Sequence, residues 1–87
     1  MGRQGFPFWW TWEIALNHHV LARMRDREFS ETDVRCMLDS AASVRGDAAP
    51  GRFIVAARHE GWTWEVVLEP DFESRVIVVV TAYRLHR

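Results

Sequence analysis

Lysine is absent from these 87 residues, cysteine and tyrosine occur once each, and proline occurs three times. Each shortage excludes something. A single cysteine, Cys36, permits no internal disulfide and no cysteine-based zinc site. No apolar run approaches the roughly 20 residues that a membrane-spanning helix needs. The opening Met1-Gly2-Arg3-Gln4-Gly5-Phe6 lacks a signal-peptide core, and Phe6 stands where myristoylation wants Ser or Thr. A soluble, cytoplasmic protein with no membrane partner is the expectation. Net positive charge is lacking too: the formal charge is -1, so no global field draws the chain to nucleic acid. RNA binding would have to come from a local cluster. All eleven basic residues are arginine, whose planar fork grips phosphate bidentately; a GC-rich coding bias is the competing explanation.

What is present is the composition of a globular chain, 48% hydrophobic and 26% charged. The length allows one domain, residues 1–87 with 1–7 as a flexible start, and only about 60–65% of the unfolded chain's surface can be buried. Phe8, Trp10, Trp12 and Ile14 alternate with Trp9, Thr11 and Glu13, which predicts a first strand with those four on its inner face. Trp9 then points outward, where an exposed indole marks a protein interface. Asn17 can cap a helix over 18–28 with the stripe Val20, Leu21, Met24. Ser30-Glu31-Thr32-Asp33 resembles a capping box, and Val34, Met37, Leu38 and Ala41 keep helical spacing over 31–42. Residues 43–51 are expected to form a loop.

Three strands follow. Arg52–His59 and Trp62–Glu69 flank Glu60-Gly61, a two-residue hairpin loop in which Glu is less comfortable than Asn at the first position. Phe53, Val55 and Ala57 then face Leu68, Val66 and Trp64, while Arg52 meets Glu69 on the other side. Arg75–Tyr83 is apolar on both faces up to Thr81, as an interior strand requires. The fold expected is α+β, β-α-α-β-β-β, with two helices on one face of a four-stranded, mainly antiparallel sheet.

His19-Val20-Leu21-Ala22-Arg23-Met24-Arg25-Asp26-Arg27 followed by Phe29-Ser30-Glu31-Thr32-Asp33-Val34 resembles the H-x-x-x-R-M-x-x-R-x-apolar-[ST]-x-x-[DE]-apolar stretch of small bacterial RelE/BrnT-like proteins. These are grouped with the barnase–EndoU–colicin–RelE (BECR) ribonuclease fold. Gly51-Arg52 and the closing Val79-Val80-Thr81-Ala82-Tyr83 match as well, so the resemblance runs from about Asn17 to Arg84. Glu28 stands where relatives tend to carry Gly. The resemblance implies a RelE-like fold and a toxin-type, metal-independent endoribonuclease, held in check by a protein antitoxin encoded by an adjacent gene.

Such cleavage needs a base for the 2′-OH proton, an acid for the leaving 5′-oxygen, and cations for the growing phosphate charge. His19, Arg23 and Arg27, at i, i+4 and i+8, form one row on the first helix. A solvated helix flank is the competing reading. His18 lies one step away, turned by about 100°. His59 and His86 read as surface residues, and with no close His–Asp or His–His pair a metal site is not expected; nor is any cofactor. If Trp64, Val66 and Leu68 share a face with Val76, Val78 and Val80, then Arg58, Thr63 and Thr81 fall in one row on the opposite face, with Tyr83 one step further and Arg52 and Glu65 nearby. That patch could hold a phosphate, or be an ordinary polar outer face with cross-strand pairs. His19, Arg23, Arg58, Thr81 and Tyr83 are the expected catalytic set, and Arg27, Arg52 and Thr63 the expected RNA contacts. Glu65 is the one carboxylate worth weighing as a base. The function from another class is a non-catalytic interaction module, for which the net charge of -1 speaks; a homodimer through the Trp-rich strand would belong with it.

Overall fold

In a computed structural model, which describes residues 5–85, the aromatic run coils where its alternation predicts a strand. His86 lies outside the described residues. Phe8–Thr11 form a short 3-10 helix, with Trp10 N–H donating to Pro7 O and Trp12 N–H to Trp9 O, both at 3.0 Å. Coiling brings rings four residues apart into edge-to-face contact, Phe6 on Trp10 at 4.9 Å and Phe8 on Trp12 at 5.9 Å, a pairing worth roughly 0.5–1.5 kcal/mol beyond area. It also exchanges the expected places of Trp9 and Phe8, while Trp10, Trp12 and Ile14 pack against the core as expected. Trp9 is 2% exposed and packs on Phe53 at 5.0 Å, whereas Phe8 is 78% exposed.

The elements that follow are β1 (Glu13–Leu16), α1 (His18–Arg27), α2 (Glu31–Asp39), β2 (Ala41–Gly46), β3 (Phe53–His59), β4 (Trp62–Asp71) and β5 (Val76–Arg84). The fold is α+β, but the sheet is five-stranded and mixed, in the order β1-β5-β4-β3-β2, not four-stranded. The extra strand is β2, which takes the last two residues of the helix expected over 31–42 and the first four of the stretch expected to be loop. A register shift between Ala41 and Ser43 breaks the period-two pattern there, so inward Ala41, Val44 and Gly46 do not alternate in sequence. Helix α2 accordingly stops at Asp39, with Ser40 as its cap. The chain starts at one edge, crosses the sheet through both helices, and returns by an antiparallel meander until β5 lies parallel to β1.

Both helices cover one face. Asn17 Oδ1 accepts from Val20 N–H at 2.9 Å at the start of α1, and the Ser30–Asp33 capping box closes the start of α2. Val20, Phe29, Val34 and Met37 then bury against Val55, Trp64, Val66, Leu68, Ile77, Val79 and Ala82. The β3–β4 hairpin has the expected register, Phe53 opposite Leu68 and Ala57 opposite Trp64, and Arg52 Nε meets Glu69 Oε1 at 3.0 Å.

The register of β5 differs. Ile77 and Val79, not Val76, Val78 and Val80, enter the core, and a shift after Val67 leaves Val80 as an extra residue between Leu68↔Val79 and Val67↔Thr81. A run apolar at every position carries no parity signal, so pairing with Ile14 and Leu16 of β1 decides it. No helix among the described residues is long and apolar enough to cross a membrane.

Candidate functional site on the open sheet face

The helix-free face of the sheet carries a charged centre in an apolar surround. Glu65 (β4) stands opposite Tyr83 (β5) and Ala56 (β3). Tyr83 Oη donates to Glu65 Oε1 at 2.7 Å, and Arg45 (β2) donates to Oε2 at 2.9 Å, reaching over the small side chain of Ala56. The Glu65 side chain is only 14% exposed. The hydrogen bond from Tyr83, reinforced by Arg45, holds the Glu65 carboxyl below its usual range. The same bond, with burial, pushes the Tyr83 phenol up. At neutral pH the pair is therefore one ionised carboxylate and one neutral phenol, an acceptor and a donor in contact. Ile54 and Val67 lie in the next row, partly or fully buried, and Val78 and Val76 continue the apolar face further along β5. Thr81 lies one row to one side, opposite Val67, and the Arg58–Thr63 pair one row to the other.

The rim at the free edge of β5 forms a second polar region. Strand β1 pairs only with Val76–Val79, and Arg27 Nη1 donates to Ala82 O at 2.9 Å along the unpaired remainder, which blunts an exposed edge. Two adjoining hollows open here. One, of about 350 Å³, is bordered by Asp26, Arg27, Trp64, Tyr83 and Arg84. The other, of about 240 Å³, shares Arg27, Trp64 and Arg84 and adds Glu28, His59, Glu60 and Trp62. Glu28 ends α1 at φ 57°, a left-handed conformation that glycine adopts with less strain than glutamate. His59 Nε2 and Asp33 Oδ1 are 2.8 Å apart, a His–Asp pair where none was expected. Asp33 is held ionised first by the Ser30 backbone N–H and then by His59, so Nε2 carries the proton and donates. Asp33, His59 and Glu60 place ligand atoms within 4.8 Å of one another. Asp33 Oδ2 is already used by Ser30, which leaves a metal one shared oxygen, one ring nitrogen and an exposed glutamate. A further hollow of about 460 Å³ beside Trp10, Trp12 and Arg35 gathers none of the eight expected site residues.

The eight expected site residues divide between these regions. Thr63, Thr81, Tyr83, Arg58 and Arg52 do share the open face, but Thr81 and Tyr83 reach it because the extra Val80 reverses the parity set by Ile77 and Val79. The single row of Arg58, Thr63 and Thr81 does not exist: β4 and β5 pair with Val67 opposite Thr81, so Thr81 sits four positions along β4 from Thr63, about 13 Å. Arg52 is spent on Glu69. Of the helical row, Arg27 reaches the rim. Arg23 is exposed beside Asp26 at 3.8 Å, and His19 starts the helix about 12 Å from Arg27 along its axis. The His18 and His19 rings lie 4.3 Å apart rather than pointing apart, since exposed side chains can swing across the angle between their Cβ atoms. Arg45 was hidden by the loop assignment. The His59–Asp33 contact depends on α2 packing against β3, which no local pattern encodes.

A small α+β domain with two helices on one face and a polar centre on the other is thus defined. Residues 16–84 match the family described as "Domain of unknown function (DUF4258)", and the chain belongs to it. The matched span takes in the helices, the meander, Glu65 and Tyr83, and leaves out the aromatic 3-10 segment. Neither curated proteins nor solved structures yield a match.

Proposed function

We propose that this chain is a toxin-type endoribonuclease of RelE-like (BECR) kind that cleaves RNA by 2′-OH attack without a metal, in the cytoplasm, under the control of a protein antitoxin from an adjacent gene. The observation that carries the reading is the Tyr83–Glu65–Arg45 contact on a sheet face no helix covers. Glu65 takes the 2′-OH proton as the 2′-oxygen bonds to phosphorus. The bond from phosphorus to the 5′-oxygen breaks, and Tyr83 gives that oxygen its proton while recovering one from Glu65 through the bond they share. Arg45, with Arg58 and Thr81 in the flanking rows, faces the developing phosphate charge. The base role moves from His19, at the start of α1, to Glu65, which is held ionised on the open face beside the proton donor Tyr83 and the cation Arg45. Induced expression with growth and RNA integrity followed together tests this. Growth arrest with RNA fragmentation, relieved by co-expressing the neighbouring reading frame, is expected; intact RNA during arrest would contradict it.

The second reading, a RelE-like interaction module, has its own support. Phe8, Trp12 and the 57% exposed Phe72 form one aromatic cluster, Trp12 on Phe72 at 5.6 Å and Phe8 on Phe72 at 6.2 Å. Exposed rings in contact mark an interface. This cluster replaces Trp9 as the surface for a partner or a second copy.

A further inference from the structure

We propose that the paired hollows at the free edge of β5 are a subsite for one nucleotide of single-stranded RNA, its base on Trp62 and its phosphate between Arg27 and Arg84. The inference rests on RNA being the ligand, as proposed above, but concerns binding and not cleavage. Three observations support it. Trp62 is a large apolar side chain left 45% exposed, and the Arg84 guanidinium lies 4.5 Å from its ring centroid. An indole face that holds a planar cation can hold a planar base, which takes the place of the Arg84 guanidinium as that group turns to the phosphate. Trp64 borders both hollows and is 5% exposed, yet its Nε1–H has no hydrogen-bond partner among the described residues. A buried donor left unpaired is costly, and most such groups in folded proteins find an acceptor. A base carbonyl or a phosphate oxygen supplies one here once a small side-chain shift uncovers this buried nitrogen. Arg27, anchored through one N–H on Ala82 O, keeps further donors of its fork for phosphate.

The carboxylates select between ligands. Asp26, Glu28 and Glu60 border the same hollows, which works against a bare phosphate ion and makes stacking a necessary part of recognition. Tyr83 borders the larger hollow while its hydroxyl touches Glu65, so a nucleotide held here is adjacent to the bond proposed to break.

The test is titration of the folded protein with each of the four ribonucleoside monophosphates, inorganic phosphate and the free nucleosides, following the tryptophan indole N–H signals by NMR. Nucleotides at millimolar concentration should move the Trp62 and Trp64 signals, with Trp64 shifting as a newly bonded donor does. Phosphate or nucleoside alone should bind about tenfold more weakly, as expected when both a stack and an ionic contact are needed. Trp62→Ala and, separately, Arg84→Ala should each weaken nucleotide binding about fivefold or more at an unchanged melting temperature. Unmoved indole signals, equal binding of inorganic phosphate, or undiminished binding by both variants would overturn the subsite. Nucleotide binding by a protein that cuts no RNA would leave the subsite standing and remove only the cleavage reading; cleavage without indole shifts would do the reverse.

Discussion

Tyr83 and Glu65 face each other across the β4–β5 ladder with 2.7 Å between the phenol and carboxylate oxygens, and each holds the other in its neutral-pH form. Breaking this bond should be visible in two ways. Tyr83→Phe should cost about 1 kcal/mol for a partly exposed charged hydrogen bond, roughly 4–8 °C in melting temperature for a domain of this size. The Glu65 carboxyl, followed by NMR titration, should move back up toward its usual range.

The pH dependence of that advantage has a definite sign. Glu65 is lowered in the folded state, so its contribution is present above the ordinary carboxylate range and lost as pH falls through its folded value. Tyr83 is raised, so its contribution is present below the unfolded value near 10 and lost as pH rises through the folded one. The stability difference between wild type and Tyr83→Phe should therefore be largest between these limits and shrink outside both. A difference that stays constant from acid to alkali would show that the bond contributes nothing.

Trp9→Ala should destabilise the fold by about 3–5 kcal/mol, because Trp9 is a core residue packed on Phe53. Thermal unfolding checks this. A variant that melts like the wild type but changes its association state would restore the outward strand that the alternation of Phe8, Trp10 and Trp12 implies.

Glu60 opens the hairpin loop at φ 51° with Gly61 at φ 82°, and Asn tolerates that conformation better than Glu. Glu60→Asn should stabilise the protein by up to about 1 kcal/mol. An unchanged or lower melting temperature would contradict the strain.

These particulars show where sequence carries structure and where it does not. The Ser30–Asp33 box with Val34, Met37 and Leu38 defines α2, and opposing apolar sets define the β3–β4 register, because in both cases only one arrangement buries every apolar side chain. In Val76–Val80 every residue is apolar, so nothing local chooses a face and the parallel partner β1 decides. At Ala41–Ser43 a bulge removes the alternation, and β2 with Arg45 is lost from view. The open-face placement of Glu65 follows from strand parity, but that of Tyr83, and their direct opposition, requires the extra Val80, since Ile77 and Val79 face the core. His59 and Asp33 meet through tertiary packing alone.

The most direct measurement is cleavage of a mixed RNA pool by purified protein, with and without ribosomes, with the ends of the fragments identified. Wild type should yield 2′,3′-cyclic phosphate and 5′-hydroxyl ends at a rate unaffected by chelator. Glu65→Gln should be slower by about 10²–10⁴-fold, the usual cost of losing general acid–base assistance, and His19→Ala should stay near the wild-type rate. Intact RNA under every condition, or a Glu65→Gln variant as fast as wild type, would contradict the account; loss of cleavage in His19→Ala alone would return the proton to the first helix.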